Sequence, residues 1–431
     1  MGFFDNCRPK DRFTSSGRVY RDDSTICIAH DWDQRRTVAV GTTWGELSDE
    51  NDYFFFWALS KHIDGSLSPE TIAIQVSAEG DLVWASTKPE DDFTRIPFYP
   101  SVSDYPAGLP TVRRSKLTEI ERVGIQADLV SYKVERCETK RVVFKYYVTP
   151  RNTDKLWHEA HCVMSIPRYP NIVPFDSLVV DSLDGIDARV LGFTTKFIPG
   201  GTLFDNVQRI FKLKYLEQLI EAIDFLNLKL GIIHGDISPW NLLIDEEADN
   251  LLVFDFNLAA RLGWEGDQNH GKVFSYDKHR NDVKYTIFTL YEIITRDFHF
   301  RDEETYPEDQ DAADVLRVES WKQHPDVRLD ASPEKYRAVL DEWVARREKT
   351  DAELTHYTLA PEHISWPDVP EYLEARLRQT LVRNDEKFFE WQRPGSRAIK
   401  TEREEKGVWS PDINGSVEDT PRRLTTINIQ S

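Results

Sequence analysis

The chain has 431 residues, too many for one small domain, and 40% of them are apolar, enough to form a packed core. Its formal net charge of −20 predicts a surface that repels nucleic acid and anionic membranes, so we expect neither as a partner. The four cysteines have no paired C-x-x-C spacing and indicate free thiols in a reducing compartment. Charges stand at the N-terminus where a signal peptide needs an apolar core, and no apolar run is long enough to cross a membrane. These features predict an intracellular protein, cytoplasmic or nuclear.

The N-terminal part, residues 1–110, contains many aromatic side chains but little helical periodicity. Apolar residues alternate from Ile72 to Trp84 on both sides of Glu79-Gly80, which is typical of a β-hairpin. We expect this hairpin to pack rather than to carry chemistry. The stretch YPSVSDYPAGLP, residues 99–110, has the prolines and glycine of a linker. Residues 1–110 are therefore interpreted as a β-rich extension with a linker.

From residue 111 the pattern places strands first and helices later. Two β-branched and aromatic segments, 129–134 and 141–148, predict strands, and a helix is expected at 153–165. The segment KYLEQLIEAIDFLNLKL predicts an amphipathic helix, and SPEKYRAVLDEWVARRE predicts another that begins at Pro333. This order is typical of an α+β domain. From Pro394 the chain is polar, and we expect a mobile tail at 394–431.

The segment HGDISPWN, His234–Asn241, carries an acid and an amide, and a second acid, Asp255, follows a strongly apolar strand. Two acids and an amide at this spacing fit a catalytic loop and its metal ligand. Taken alone, the pattern also fits a polar turn between two buried strands.

The spacing H-x-D-x-x-x-x-N, followed by Asp255-Phe256-Asn257, resembles the catalytic loop and D-F-G of the protein-kinase superfamily. Lys145 in VVFK stands where that family has the lysine of V-A-I-K, and Glu159 follows on the next helix. Taken alone, Lys145 could also be a solvated lysine on a strand, and Glu159 could also be a charged residue on the surface of a helix. Their joint order favours the resemblance.

The resemblance implies an α+β, two-lobed protein-kinase-like fold. It places a strand-rich N-lobe at about 111–194, a hinge at 195–199 and a helical C-lobe at 200–393. The β-rich extension of residues 1–110 would precede it, and the tail 394–431 would follow. As a whole the chain is similar to divergent fungal proteins described as protein-kinase-domain-containing.

The resemblance also implies ATP and Mg²⁺ as cofactors. Asp236 would orient the acceptor hydroxyl, and Lys145, paired with Glu159, would reach the α- and β-phosphates. Asn241 and Asp255 would hold the metal. Thr195 falls at the gatekeeper position, and the backbone of the next three residues would meet the adenine edge. The implied nucleotide-binding residues are Gly124, Lys145, Thr195, Lys196, Phe197 and Ile198. Asp282, at the start of a long helix, would accept hydrogen bonds from the catalytic-loop backbone.

Several positions depart from the family pattern. The glycine-rich loop keeps Gly124, but Gln126 and Asp128 stand where further glycines allow backbone amides to approach phosphate. Ser238 stands where Ser/Thr kinases have a lysine. Gly235 replaces the usual arginine of H-R-D, which in that family commonly pairs with a phosphorylated activation segment. Phosphorylation of the activation segment is therefore not expected to switch this protein.

Three functions remain open from the sequence. The first is an ATP- and Mg-dependent phosphotransferase that acts on protein Ser/Thr, and the second is the same chemistry on a small hydroxylated molecule. The third is a pseudokinase that binds partners without catalysis, as the altered glycine-rich loop suggests. The presence of Lys145, Glu159, Asp236, Asn241 and Asp255 together favours catalysis.

Overall fold

The computed structural model describes most of the chain, and all structural statements here concern the described residues. They are 3–5, 7–21, 24–42, 52–134, 138–150, 153–185, 187–266, 274–301, 306–351, 353–370 and 375–405. Strands predominate up to residue 196 and most of the longer helices follow, so the chain has the mixed α+β composition that the sequence predicted. The described residues divide into two compact units. The first unit lies within 1–156, 176–194 and 370–431, and the second within 157–175 and 195–369.

The first unit contains two sheets. The N-terminal sheet has the strand order β1-β2-β3-β4-β5, and the second sheet has the order β7-β11-β12-β10-β9-β8. A short pair, β6 and β19, lies outside both. The strands are β1 Phe13–Arg21, β2 Ser24–Asp31, β3 Arg36–Thr42, β4 Ala73–Val76, β5 Leu82–Ser86, β6 Arg95–Ile96, β7 Thr111–Arg113, β8 Thr118–Gly124, β9 Ala127–Lys133, β10 Thr139–Tyr146, β11 Phe175–Ser182, β12 Ala188–Lys196 and β19 Arg376–Leu377.

The N-terminal sheet confirms the predicted hairpin and adds a helix to it. Strands β4 and β5 pair antiparallel, with Ile74 opposite Ala85. The aromatic run at 53–60 forms a helix, and its buried side chains pack on apolar residues of the sheet such as Val38 and Val40. A run of seven consecutive aromatic or aliphatic residues, Tyr53–Leu59, has no helical stripe, so its packing partner rather than its periodicity decides its structure. The helices of this unit, together with α3, which begins in it, are α1 Pro9–Arg12, α2 Tyr53–Ser60, α3 Thr153–Ser165, α8 Arg378–Arg383 and α9 Ser396–Glu405.

Buried ion pairs join the two sheets of the first unit. Arg122 on β8 pairs with Asp33, which lies in the turn between β2 and β3. Arg393 donates to Asp128 on β9 at 2.8 Å and to the carbonyl of Asp33 at 2.9 Å. The expected boundary near residue 110 therefore falls inside one compact unit. Likewise, the segment expected as a tail begins with helix α9, and Ser396 donates its backbone N–H to Asp33 at 3.0 Å.

The second unit is mainly helical. Its core is formed by α4, α5 and α7 with the short hairpin of residues 242–253, and the buried residues include Leu216, Leu219, Phe288, Leu340 and Trp343. α5 begins at Asp282 and α7 at Pro333, as the sequence predicted. The elements are α4 Leu213–Asp224, α5 Asp282–Thr295, α6 Ala312–Leu316, α7 Pro333–Asp351, β13 Ile210–Phe211, β14 Ile232–Ile233, β15 Leu242–Asp245, β16 Asn250–Val253, β17 Ala260–Arg261 and β18 Arg328–Leu329.

Candidate active site

The segment His234–Asn241 forms a loop between β14 and β15 in the second unit, and its backbone is held by the first residue of α5. The carboxylate of Asp282 accepts hydrogen bonds from the backbone N–H groups of His234 and Gly235, both at 2.8 Å. Asp282 is 1% exposed, so a carboxylate that lost these donors would be buried without compensation. The predicted structural role of Asp282 is confirmed.

A second layer of side chains fixes Asp282. The amide of Asn227 donates to Asp282 Oδ2 at 2.8 Å and to the carbonyl of Ile232 at 2.9 Å. Asn227 lies in a π-helical turn that follows α4, and Arg347 of α7 donates to its side-chain oxygen at 2.9 Å. Arg347 also pairs with Asp224 at 2.7 Å. The sequence analysis did not find this chain of contacts, because its members are far apart in sequence.

The carbonyl of Ile237, next to Asp236, has two donors. The hydroxyl of Thr289 donates to it at 2.9 Å and Arg301 Nη1 at 2.7 Å. Arg301 is also ion-paired with Glu292, which is 2% exposed. Burial raises the pKa of the Glu292 carboxyl, and the Arg301 charge opposes this shift. These residues of α5 and the turn after it fix the loop at the predicted catalytic carboxylate.

His234 locks the loop to the strand that precedes Asp255. Its side chain is fully buried, and its Nε2 lies 2.9 Å from the carbonyl of Phe254. The backbone N–H of Asp236 donates to His234 Nδ1 at 3.3 Å. Since Nδ1 accepts, the hydrogen-bond network assigns the ring proton to Nε2, which donates to Phe254. The imidazole thus joins the loop to the segment that carries Asp255.

Gly235 has a backbone conformation that excludes most side chains. Its φ is 76°, and a Cβ at this position would lie 2.5 Å from the carbonyl oxygen of Leu258. A side chain here would therefore be strained and would also overlap the backbone. This gives a physical reason for the departure from H-R-D: an arginine does not fit the loop as it is folded here.

Three of the predicted site residues come together. The amide nitrogen of Asn241 donates to Asp236 Oδ2 and to the Asp236 carbonyl, both at 2.8 Å. Burial raises the pKa of the Asp236 carboxyl, and the nearby Asp255 carboxylate adds to that rise. Asp255 has a left-handed φ of 68°, an uncommon conformation that is enriched at functional sites. The arrangement brings two acids and an amide together within one unit.

Carboxylate and amide oxygens, the polar atoms of this cluster, are the ligand types that a hard divalent cation prefers. Because the Asn241 nitrogen is engaged by Asp236, the amide oxygen is the atom left to face a metal ion. Asn257 Oδ1 is a buried acceptor with no hydrogen-bond partner in the described part of the chain. Among the described residues, no group of three or more His, Cys, Asp or Glu side chains has metal-binding geometry. A metal site here would depend on amide oxygens and water or phosphate in addition to the carboxylates.

The predicted hinge residues belong to the second unit, which resumes at Thr195. Lys196 Nζ pairs with Asp245 at 2.7 Å, and the Lys196 backbone N–H donates to Pro174 at 3.2 Å. Ile198 is buried against Val173 and Leu252. The Lys196 N–H is therefore occupied, and the adenine contact expected from the backbone of Lys196 to Ile198 stays a prediction.

The remaining predicted residues lie on well-formed elements. Lys145 is on β10, opposite Ala127 of β9, and Gly124 ends β8. Gly192 on β12 lets that strand approach β10 closely, because a Cβ there would overlap the Lys145 carbonyl. Glu159 is 1% exposed on α3 and belongs to the second unit, whereas Lys145 belongs to the first. Their predicted ion pair stays a prediction.

Helix α3 is anchored by a histidine beside Glu159. His158 Nε2 lies 2.7 Å from the carbonyl of Ala259, and its Nδ1 accepts from the Trp366 indole at 3.2 Å. Its ring also stacks on Phe274 with the centroids 4.3 Å apart. Burial lowers the pKa of His158 to about 4, so the ring is neutral at physiological pH. The helix that carries Glu159 is thereby tied to the segment after Asp255.

Part of the chain is similar to serine/threonine protein kinases. CBL-interacting serine/threonine-protein kinase 16 of Arabidopsis thaliana is 37% identical over 110 residues, which are 24% of this chain and 22% of the relative. CBL-interacting protein kinase 8 of Oryza sativa subsp. japonica is 34% identical over 104 residues, 23% of this chain and 22% of the relative. CBL-interacting protein kinase 15, also from Oryza sativa subsp. japonica, is 42% identical over 74 residues, 16% of this chain and 17% of the relative.

The chain thus matches about a fifth of the length of these curated relatives. This supports a protein-kinase-like relationship for about a quarter of the chain. No family model matches it. The three relatives come from plants, so the similarity to fungal proteins stays a prediction. Within the described residues, no helix is both long enough and apolar enough to span a bilayer.

Proposed function

We propose that this protein is an ATP- and Mg²⁺-dependent phosphotransferase that acts on serine or threonine hydroxyl groups of proteins. One observation carries the proposal. Asp236 lies on a loop whose backbone is held by the buried Asp282, and its carboxylate accepts a hydrogen bond from Asn241 at 2.8 Å. Burial and the nearby Asp255 carboxylate both raise the pKa of Asp236. The similarity of a quarter of the chain to Ser/Thr protein kinases supports the same function. The two-lobed arrangement is part of this proposal.

The chemistry assigned to the chain's own residues is positioning. Asp236 would accept a hydrogen bond from the acceptor hydroxyl and take its proton as the oxygen bonds to the γ-phosphorus and the bond to ADP breaks. A carboxylate with a raised pKa is a better proton acceptor than an unperturbed one. Asn241 and Asp255 would hold Mg²⁺, which supplies neutralisation of phosphate charge when bound. Lys145 would bind the α- and β-phosphates.

A second candidate function is partner binding without catalysis, and the turn between β8 and β9 favours it. Gln126 has a left-handed φ of 61° at the position where the family has a glycine. Asp128 is 1% exposed and forms ion pairs with Arg35 and Arg393. These side chains make the turn a structural junction within the first unit rather than an open phosphate cradle.

A transfer assay separates these functions. The full chain would be incubated with γ-labelled ATP and Mg²⁺ against generic proteins and, separately, a panel of hydroxylated metabolites, with EDTA as the metal-free control. The proposal predicts Mg²⁺-dependent label on protein. Label on a metabolite alone would identify a small-molecule kinase. No label on any acceptor, together with no nucleotide binding in a thermal-shift titration, would leave the partner-binding function.

A further inference from the structure

An arginine with spare hydrogen-bonding capacity lies beside the loop at 234–241 in the second unit. Arg280 Nη1 donates to the carbonyl of Gly235, the residue before Asp236, at 3.4 Å. Its one ion pair in the described part of the chain is long, with 3.8 Å between Nε and Asp277 Oδ2. The side chain is 29% exposed, and its Nη2 is neither hydrogen-bonded within the described residues nor buried.

The turn before α5 fixes the backbone that carries Arg280. The Arg280 N–H donates to the Asp277 carbonyl at 3.0 Å, and the His279 N–H donates to the Asp277 carboxylate at 2.8 Å. Asn281, the next residue, caps α5 with its side-chain oxygen. The Arg280 side chain therefore reaches the loop at 234–241 from backbone that is held on both sides.

The Arg280 charge acts on the proposed catalytic carboxylate. Burial raises the pKa of Asp236, and the charges of Arg301 and Arg280 oppose that rise. Asp236 and Arg280 are both half-buried, so each keeps part of its surface open to a ligand. An acceptor whose hydroxyl meets Asp236 would therefore bring its neighbouring groups close to the Arg280 guanidinium.

Two other cations lie near Arg280, but their nitrogens are engaged. Each nitrogen of Arg301 already donates: Nε and Nη2 to the Glu292 carboxylate, and Nη1 to the carbonyl of Ile237. Lys284 Nζ donates to two backbone carbonyls, at 2.8 and 3.3 Å. Within the described residues, Arg280 is therefore the cation of this group that has an unengaged nitrogen.

We propose that Arg280 selects serine or threonine acceptors that carry an acidic residue close to the hydroxyl group, a proposal that rests on the phosphotransferase function given above. A carboxylate presents two acceptor oxygens, and the guanidinium fork of an arginine matches that geometry. The net charge of the chain, −20, acts against the binding of an acidic peptide. A preference for acidic peptides must therefore come from a local cation, and Arg280 is placed to provide it.

The test uses the full chain and matched serine peptides in which one flanking residue is Asp, Asn or Lys. That residue is moved through each position on either side of the serine. The rate of γ-phosphate transfer gives kcat/KM for each peptide, and fluorescence anisotropy gives its affinity without ATP. Asn is the matched control for Asp, because it has nearly the same shape and no charge. At one position or more, we expect kcat/KM to be at least about tenfold higher with Asp than with Asn, and lowest with Lys.

Three variants assign this preference to Arg280. Arg280→Met removes the charge, so the ratio of kcat/KM between the Asp and Asn peptides should fall to near one. Arg280→Lys keeps the charge but loses the fork, so it should keep part of the preference. Arg317→Met is the control, because Arg317 is 71% exposed on α6 and pairs with Asp314, and its ratio should match that of the wild type. The ratio compares two peptides on one protein sample, so partial loss of folded protein does not change it. If Arg280→Met does not fold, Arg280→Gln replaces it.

Two results would overturn this substrate preference and leave the phosphotransferase function intact. One is transfer to peptides without any advantage of Asp over Asn. The other is an advantage of Asp that Arg280→Met retains, even if that variant loses rate on all peptides, since Arg280 would then act on something other than the acidic residue. If no peptide is labelled, the phosphotransferase function fails and the affinities decide: binding that favours Asp and loses this preference in Arg280→Met supports an acidic-peptide site, and binding without the preference overturns it.

Discussion

Gly235 shows how one residue determines whether the loop at 234–241 can form. Its positive φ and the nearness of the Leu258 carbonyl both act against any Cβ. Gly108 also has a positive φ, of 84°, but a Cβ there would meet nothing within 4 Å. Substitutions at these two glycines therefore distinguish the cost of a strained backbone conformation from the cost of steric overlap with a neighbouring residue.

We predict that Gly235→Ala lowers the free energy of unfolding more than Gly108→Ala does. Alanine at positive φ costs about 1 kcal/mol in each variant, and the overlap with Leu258 adds to it only in Gly235→Ala. Urea denaturation of both variants measures the difference. Equal losses would show that the loop relaxes around the added methyl group and that glycine is not required at this position.

At the scale of elements, α5 acts as the support of the loop at 234–241. It supplies Asp282 to the backbone of His234 and Gly235 and Thr289 to the carbonyl of Ile237. The turn after it adds Arg301. Nearly all residues of the helix are buried, so the core fixes the position of α5. The contacts named above then fix the loop relative to α5.

Asp282→Asn should destabilise the second unit. An amide replaces one acceptor oxygen by a donor. Either the Gly235 N–H, or the His234 N–H together with the Asn227 amide, then loses its Asp282 acceptor in a buried place. Each unsatisfied buried group costs about 1–3 kcal/mol. Asp314→Asn on α6 is the control, because Asp314 is half exposed and pairs with Arg317 at the surface. Unfolding free energies of the two variants that agree within error would contradict the supporting role of Asp282.

The free energy of unfolding depends on pH through His158 on helix α3. Its folded pKa is about 4, below the ordinary 6.5, because burial disfavours the charged ring. The unfolded chain therefore binds a proton that the folded chain does not, and stability is lost as pH falls from about 6.5 to about 4. Over that range the loss from this ring is about 3 kcal/mol.

The His158→Gln variant should show a shallower pH dependence. Between pH 5 and 6 the slope of unfolding free energy against pH should fall by about 1 kcal/mol per pH unit relative to wild type, as one proton is no longer linked to unfolding. His30 has a similar shift and stays unchanged in this variant, so part of the slope remains. An unchanged slope would mean that His158 is already protonated or exposed in the folded protein.

Sequence reasoning succeeded where the relevant residues are close together along the chain. The start of α5 at Asp282 and the hairpin of β4 and β5 follow from local spacing and periodicity. The supports of the loop could not be found in this way. Arg347 meets Asn227 across 120 residues, and no local pattern encodes which distant arginine reaches a buried amide.

At the scale of the molecule, the N-terminal sheet was the least predictable part. The sequence predicted a β-rich extension, but the ion pair of Asp33 with Arg122 unites it with the second sheet. Arg393, which is ion-paired with Asp128 of the second sheet, also donates to the Asp33 carbonyl. These pairs join residues 89 and 265 positions apart. The Asp128 that replaces an expected glycine is thereby explained as part of a buried junction.

The central claim is that the cluster around Asp236 transfers phosphate. Its most direct test compares the rate of γ-phosphate transfer by wild type, Asp236→Ala and the surface control Asp314→Ala, with Mg-ATP binding measured on the same samples. The account predicts that Asp236→Ala loses transfer by at least about a hundredfold while it still binds Mg-ATP, because the carboxylate acts on the acceptor hydroxyl rather than on the nucleotide. Asp314→Ala should match the wild type in both measurements. Equal background transfer by wild type and Asp236→Ala would contradict the account and favour a protein that binds partners without catalysis.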